Sequence, residues 1–151
     1  MTTIHLSTFI KAPIETVFDA ARNIDLHIDS ASKTRERAIK GRTTGLINLD
    51  EIVTWRAKHF GIFHTHTSKI TEYQYPNSFT DEMIKGHFTS FKHQHFFYFD
   101  KAKNLTKMTD ILTYQTPYGY CGILFDTWIL KKYLTKFLYT RNSYLKKNIE
   151  S

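Results

Sequence analysis

The residues best suited to chemistry are ionisable side chains that alternate with phenylalanine and methionine in the segment 79–97, FTDEMIKGHFTSFKHQHFF. Successive side chains of an extended strand point to opposite faces, so Asp81 lies on one apolar face and His93 and His95 share another. The apolar residues of these faces are Phe79, Met83, Phe91 and Phe97. An ionisable group on an apolar face costs free energy unless it is paired or faces a wet cavity. The pattern therefore predicts a hollow sheet with a polar patch inside it.

Further ionisable residues fall on apolar faces of other predicted elements. By the same alternation, Asp110 lies with Met108 and Leu112, and Glu51 lies with Val53. If these faces form the concave side of the sheet, three carboxylates and two imidazoles point inward. Arg141, on the last predicted helix, is expected to reach them.

Three interpretations of this patch stay open on the sequence alone. The first is a structural network, because buried polar groups normally have partners. The second is a patch that orients a ligand in an apolar pocket. The third is acid–base catalysis, since a desolvated Asp–His pair can have pKa values moved toward neutrality. The candidate catalytic residues are His93, His95, Asp110 and Asp81.

A metal site is the fourth interpretation of the same residues. His93 and His95 with one carboxylate offer two nitrogens and one oxygen, as in zinc or non-haem iron centres. Two ligands from one strand are a weak motif, and the spacing of a closed zinc site is absent. No metal ion and no other cofactor is therefore expected.

The elements that position these residues follow from the periodicity. The predicted order is a strand at 3–11, two short helices after Pro13 ending near 32, strands at 38–44, 47–59, 62–73, 78–85, 88–100 and 105–116, and a helix at 124–147. An antiparallel sheet with one apolar face needs a cover, and the last helix is the only element long enough. We therefore predict an α+β fold in which a curved antiparallel sheet wraps around the C-terminal helix, in a single domain spanning 1–151.

Aromatic residues are unusually abundant. The 151 residues include 12 Phe and 9 Tyr, more than a small core needs. Their excess favours a cavity wall, which we expect to include Trp55, Phe79, Phe91, Phe97, Tyr114, Trp128 and Phe137. With Asp81, His93, His95, Asp110 and Arg141, these form the predicted ligand-binding set.

Charge and cysteine content restrict partners and location. The net charge of +7 is compatible with nucleic acid or an anionic membrane, but the basic residues are dispersed. No nucleic-acid-binding signature accompanies them, so no nucleic-acid partner is expected. Cys121 is the only cysteine, so it allows no internal disulfide, and we expect it to be buried. No signal peptide or transmembrane segment is recognised, which favours the cytoplasm.

The chain resembles the START-like, or SRPBCC, superfamily, which has the helix-grip fold of the birch-pollen allergen, lipid-transfer domains and polyketide cyclase/dehydrase-like proteins. The segment FIKAPIETVFDAARNID is similar to the typical opening of that superfamily. The segments HFGIFHTHTSKITEYQYPNSFTDEMIKGHF, FKHQHFF and MTDILTYQTPYG resemble a bacterial subgroup of small proteins, some labelled cell division inhibitors. The resemblance covers nearly the whole chain. It implies the fold and a ligand cavity between sheet and long helix, but no single activity.

The expected function is binding, transport or sensing of a hydrophobic or amphipathic small molecule. One alternative is an enzyme of the cyclase, dehydratase or isomerase kind, with His93 or His95 as the base. Another is an interaction module that docks a protein partner through its basic surface. A homodimer is an open alternative for the oligomeric state.

Overall fold

The computed structural model describes residues 1–151 as seven strands and four α-helices. The strands are β1 (Thr2–Ile10), β2 (Arg37–Gly41), β3 (Ile52–His59), β4 (Ile62–Gln74), β5 (Ser78–Lys85), β6 (Ser90–Asp100) and β7 (Leu105–Gln115). The helices are α1 (Ile14–Ala21), α2 (Ile24–Ser30), α3 (Gly119–Phe125) and α4 (Lys131–Glu150). A 3-10 turn, Ser32–Thr34, follows α2, and a π-helical turn, Asp126–Leu130, joins α3 to α4.

The strands form one antiparallel sheet in the order β1-β7-β6-β5-β4-β3-β2. Both helices α1 and α2 follow β1 directly and contact α4. The 20-residue helix α4 also packs against β1 and places Leu138 and Leu145 in the core. The predicted α+β helix-grip arrangement is confirmed, because the last helix covers the apolar face of the sheet.

The register of the central strands determines which side chains meet. In antiparallel pairs, residues directly opposite each other have side chains on the same face. His95 is opposite Asp110 across β6 and β7, and Asp81 is opposite His93 across β5 and β6. Alternate residues of β7, from Thr106 to Tyr114, are buried. These pairings bring the ionisable residues of three neighbouring strands together on the inner face.

An aromatic core closes one end of the sheet beside this region. Phe18 of α1 is completely buried, and its ring lies 5.3 Å from that of Phe79 and 5.1 Å from that of Phe97. Most of the large buried residues around it belong to one continuous apolar cluster. The open space of the molecule therefore lies beyond this cluster, between the middle of the sheet and α4.

The predicted strand 47–59 is shorter in the structure. β3 begins at Ile52, and Asp50 has φ 66°, a left-handed conformation that interrupts an extended strand. Glu51 lies in this turn, where it accepts hydrogen bonds from the Arg42 guanidinium at 2.7 Å and the Asn48 backbone at 2.8 Å. The prediction that Glu51 points into the sheet is therefore wrong, because strand alternation does not extend to it.

The predicted start of the last helix at 124 is also wrong. The helical backbone begins at Gly119 and passes through the π-helical turn before α4. Within this turn, Asp126 is buried and accepts hydrogen bonds from the Tyr114 hydroxyl, at 2.5 Å, and from the Thr2 hydroxyl. Trp128 is two residues after Asp126, and a helix turns such a side chain to the opposite side. Trp128 is therefore 73% exposed while Asp126 is buried. Cys121, in α3, is exposed rather than buried, since this helix stands at the surface.

Candidate functional site

A cavity of about 730 Å³ lies between the inner face of the sheet and the helices. Strands β3 to β7, the α1–α2 corner, α3 and α4 all contribute to its wall. Most ligand pockets of proteins have volumes of roughly 300–1,000 Å³ and apolar walls with a few polar groups. Of the predicted aromatic wall, four residues line this cavity, namely Trp55, Phe79, Phe91 and Phe137.

Three other members of the predicted wall lie elsewhere. Phe97 is buried against Phe18 in the aromatic core, and Tyr114 is buried with its hydroxyl group on Asp126. Trp128 faces outward from the π-helical turn. Phe97 and Tyr114 correct the prediction because alternation along a strand identifies the inner face of a sheet and not which part of that face is hollow. Trp128 corrects it because the π-helical turn changes the helical period from which its position was predicted.

Two Asp–His pairs form the polar part of the site. Nε2 of His93 donates to Oδ1 of Asp110 at 2.7 Å, and Nε2 of His95 donates to Oδ2 of Asp81 at 2.9 Å. Nδ1 of His95 is 3.2 Å from the same Oδ1 of Asp110 but is not aligned for a hydrogen bond. The two imidazole rings stack at 3.9 Å between centroids. The four residues thus form one continuous cluster rather than two separate pairs.

Helix α4 completes this cluster from the opposite side. Nδ2 of Asn142 donates to Oδ2 of Asp110 at 2.6 Å, and Nη1 of Arg141 lies 3.6 Å from its Oδ1. Arg141 also donates through Nη2 to the carbonyl oxygen of Ala21 at 3.1 Å. Its Nε and Nη1 have no hydrogen-bond partner, nor does Oδ1 of Asn142. The predicted reach of Arg141 to the carboxylates is observed.

Sequence reasoning missed Asn142. This residue is four positions after Leu138 and three before Leu145, both buried, so the helical period places it on the inner face of α4. A polar residue in that position was therefore a usable signal for a partner of a buried carboxylate.

The predicted site residues differ in their access to the cavity. Asp81, His93, His95 and Arg141 line it, and the Asp81 side chain is the most accessible of these, at 22%. Asp110 is 0% exposed and lies behind the imidazoles. It is therefore placed to hold the two histidines and not to touch a bound molecule.

The carboxylates of the cluster are strongly biased toward the ionised form. Burial by itself would raise the pKa of Asp81, but the His95 hydrogen bond and nearby positive charges outweigh it and lower this pKa to about 2. Burial opposes ionisation of Asp110 too, yet the hydrogen bond from His93 and the close contact with the His95 imidazole hold its pKa well below the usual range. At neutral pH both acids are therefore ionised, and they accept hydrogen bonds but do not donate them.

The two imidazoles are shifted in opposite directions. Burial, reinforced by the proximity of His95, lowers the pKa of His93 below its usual value in spite of its bond to Asp110. Burial would also lower the pKa of His95, but its contacts with Asp110 and Asp81 outweigh burial and raise it. The cluster thus combines a neutral imidazole with one that favours the protonated form, which is a usual arrangement for an acid and a base.

The cavity holds more histidines than the sequence analysis assigned to it. Seven of the eight histidines line its wall, namely His27, His59, His64, His66, His87, His93 and His95. On β4, His64 and His66 alternate inward with buried Ser68 and Ile70. Burial lowers the pKa of both His59 and His66. The alternation with Ile70 was visible in the sequence, but which face was inside was not.

Comparison with known proteins identifies the fold. No family model matches the chain, and no curated protein matches it in sequence. The solved structure of TTHA0849 from Thermus thermophilus is 15% identical, with a TM-score of 0.79 over 98% of this chain and 97% of that one. Ginseng major latex-like protein 151 from Panax ginseng is 13% identical, with a TM-score of 0.71 over 98% and 97% of the two chains. Ara h 8.0201 is 11% identical, with a TM-score of 0.65 over 95% and 97%.

These likenesses extend over nearly the whole chain, and they agree with the predicted START-like helix-grip fold. At such low identity they establish the fold alone. A separate observation concerns membranes: none of the helices is both long enough and apolar enough to span one.

Proposed function

We propose that this protein binds a hydrophobic or amphipathic small molecule in the cavity between the sheet and α4. The observation that carries the proposal is the cavity itself, about 730 Å³ of space whose wall is mainly apolar and includes the buried Asp–His cluster. Apolar contact contributes roughly 25 cal/mol per Å² of surface removed from water. The walls therefore supply affinity, and the cluster fixes the orientation of the ligand.

The polar end of the ligand belongs at Asp81 and His93. Asp81 lines the cavity and has one carboxylate oxygen, Oδ1, without a hydrogen-bond partner in the protein. His93 uses Nε2 for Asp110, which leaves its Nδ1 for a ligand. Both free atoms accept hydrogen bonds, so a hydroxyl or amine group of the ligand fits them as the donor, and its apolar body fits beside Phe91 and Trp55.

Exposed apolar residues surround one opening of this cavity. Phe60, in the β3–β4 turn, lies 5.6 Å from the ring of Phe125 and 4.6 Å from that of Tyr133. Ile62 and Tyr118 also line the cavity and are mostly exposed. Apolar patches of this kind mark binding sites more often than ordinary surface. We place the route of the ligand between α3 and the β3–β4 turn.

The first test is a native mass spectrum beside the denatured mass, since a ligand retained through purification adds mass that denaturation releases. The second test uses the neutral fluorophore N-phenyl-1-naphthylamine, whose emission rises in apolar surroundings. Ala57→Phe fills the inner wall of β3 and should abolish the rise, because Ala57 is buried and lines the cavity.

Lys58→Phe is the matched control, because it adds the same side chain to the adjacent, outward-facing position. It should bind the fluorophore as the wild type does. No emission rise with the wild type, or equal binding by the folded Ala57→Phe variant, would overturn the proposal.

A second candidate function is proton transfer at carbon. The observation that favours it is the His93–Asp110 pair, a buried carboxylate that orients an imidazole lining the cavity. The ketosteroid 5-androstene-3,17-dione is a suitable probe, because a base converts it to the conjugated enone by moving one proton. Conversion faster than in buffer, and lost in His93→Gln but not in His5→Gln on the outer surface, supports catalysis. A rate equal to that in buffer removes this candidate.

A further inference from the structure

We infer that Asp81, His93 and His95 form a binding site for one divalent transition-metal ion in the cavity wall. One ligand atom from each of the three residues lies within 4.8 Å of the others. This inference concerns the polar cluster alone and does not depend on whether a lipophilic molecule binds in the cavity.

The spacing of the ligand atoms is close to what a metal requires. Zinc bonds to nitrogen and oxygen of about 2.1 Å at the tetrahedral angle place two ligand atoms about 3.4 Å apart. One pair, Nε2 of His95 and Oδ2 of Asp81, is separated by 2.9 Å. Because all three ligand atoms lie within 4.8 Å of one another, no pair exceeds the separation in a metal site by more than about 1.4 Å, and binding requires the side chains to move by that amount. Asp81 has room for this, because its side chain is partly accessible from the cavity.

The arrangement behind the three ligands is that of a metal centre. Ligating histidines usually donate their other ring N–H to a carboxylate, which fixes the ring and the tautomer. Oδ1 of Asp110 is 2.7 Å from Nε2 of His93 and 3.2 Å from Nδ1 of His95. One buried carboxylate therefore faces both rings, leaving Nδ1 of His93 and Nε2 of His95 as the metal ligands.

Asp110 is itself held in place for this role. Asn142 donates to its other oxygen at 2.6 Å, and the whole group is inaccessible to solvent. His95 is almost completely buried, and its Nδ1 has no hydrogen-bond partner in the protein. A small movement of His95 toward a metal that also aligns Nδ1 with Asp110 would satisfy that nitrogen.

The carboxylates around His95 are arranged as they would be around a cation. Asp81 and Asp110 both face the imidazole of His95, at 2.9 Å and 3.2 Å. A divalent ion bound to Nε2 of His95 and to Asp81 would take the place of the proton that these two groups share. The donor set of two imidazoles and one carboxylate suits zinc, iron, cobalt or nickel better than magnesium or calcium.

The protein provides three ligands and leaves the cavity side of the ion open. Open positions distinguish sites that bind a further molecule from closed structural zinc sites. The apolar wall adjoins this side, with the Phe79 ring stacked on His95 at 4.2 Å. The ion would therefore be presented to a molecule in the cavity that carries an oxygen donor.

The test is titration of the metal-free wild-type protein with Zn²⁺ by calorimetry and with Co²⁺ by absorption spectroscopy. We expect one ion per chain, and visible Co²⁺ bands typical of four or five ligands. Binding to the isosteric variant Asp81→Asn should be at least about 100-fold weaker, since loss of even an outer partner of a metal ligand commonly costs 10–100-fold. His93→Gln should have the same effect, which matters if one of the two variants does not fold.

His66→Ala and His64→Ala are the matched controls, because both remove an imidazole from the same cavity but not from the three ligands. They should bind Zn²⁺ as the wild type does. The inference is overturned if the wild type binds no Zn²⁺ or Co²⁺ at one equivalent. It is also overturned if binding survives in Asp81→Asn and His93→Gln, or is lost in His64→Ala, which would place the ion at the cavity mouth instead.

Discussion

Replacement of Asp110 by asparagine should destabilise the protein while leaving the shape of the side chain unchanged. Asp110 is inaccessible to solvent, and all its near neighbours are donors: His93 at 2.7 Å, Asn142 at 2.6 Å, and the His95 and Arg141 nitrogens. An asparagine has one acceptor oxygen and one NH₂ group. In either orientation its NH₂ group therefore faces another donor.

The size of the effect follows from this geometry. Removing one partner of a buried ion pair typically costs about 3–5 kcal/mol, because the remaining charge stays buried and unpaired. Here the remaining charge is that of Arg141, whose other bond is to the carbonyl oxygen of Ala21. A domain has about 5–15 kcal/mol of stability in total. Asp110→Asn should thus lower the melting temperature by about 6–20 °C, at roughly 2–4 °C per kcal/mol.

The assays are urea unfolding and thermal unfolding at neutral pH, both followed by circular dichroism, with the urea slope m as a check that the transition stays two-state. Asp29→Asn is the control, since Asp29 is an acid in α2 outside the cluster and should change stability by less than about 0.5 kcal/mol. In the double variant Asp110→Asn/Arg141→Met, removal of the stranded charge should recover part of the loss.

A folded Asp110→Asn protein within about 1 kcal/mol of the wild type would refute this reasoning. Such a result would mean that the cluster does not stabilise the fold, and its residues would then be retained for binding alone.

Three further predictions concern other parts of the molecule. Burial lowers the pKa of His66 in the folded protein, so as the pH falls through 6.5 the unfolded chain binds a proton before the folded one does, and the free energy of unfolding declines. Urea unfolding at pH 7.5 and 5.5 should show a smaller decline in His66→Gln than in the wild type. Trp55→Ala should weaken N-phenyl-1-naphthylamine binding by about tenfold, whereas Trp128→Ala should not, because Trp55 lines the cavity and Trp128 does not. Equal effects of the two substitutions would contradict the assigned cavity wall. Phe18→Ala should cost about 3–5 kcal/mol in urea unfolding, because Phe18 is fully buried among four aromatic rings. Phe9→Ala, at a residue that is 47% exposed and lies outside the core, should cost much less, and similar losses from both would show that the aromatic core contributes little.

Local patterns determined much of this protein. The alternation of strands by itself assigned His93, His95 and Asp110 to inward faces, because side-chain direction in a strand depends only on position along it. The helical period similarly placed Arg141 on the covered side of the last helix. Element order then led to the helix-grip fold, since an apolar sheet face and one long amphipathic helix have few other arrangements.

Local irregularities of the backbone could not be predicted from these patterns. Glu51 lies in a turn set by the left-handed Asp50, and Trp128 was rotated outward by a π-helical turn that buries Asp126. Such departures depend on tertiary partners, here Arg42 and Tyr114, which are not adjacent in the chain. The alternation rule has no information about them.

Long-range strand pairing and packing determine which groups meet. The pairing of His95 with Asp110 depends on the register of β6 with β7, and that of Asp81 with His93 on the register of β5 with β6. Register is a long-range property, because a shift of two residues along a strand keeps every side chain on its face and changes every partner. The cavity also depends on how far α4 stands from the sheet, a distance that packing of the whole aromatic core sets. The sequence by itself therefore identified the ionisable residues of the inner face, whereas the fold joined them into one cluster and placed it beside a cavity.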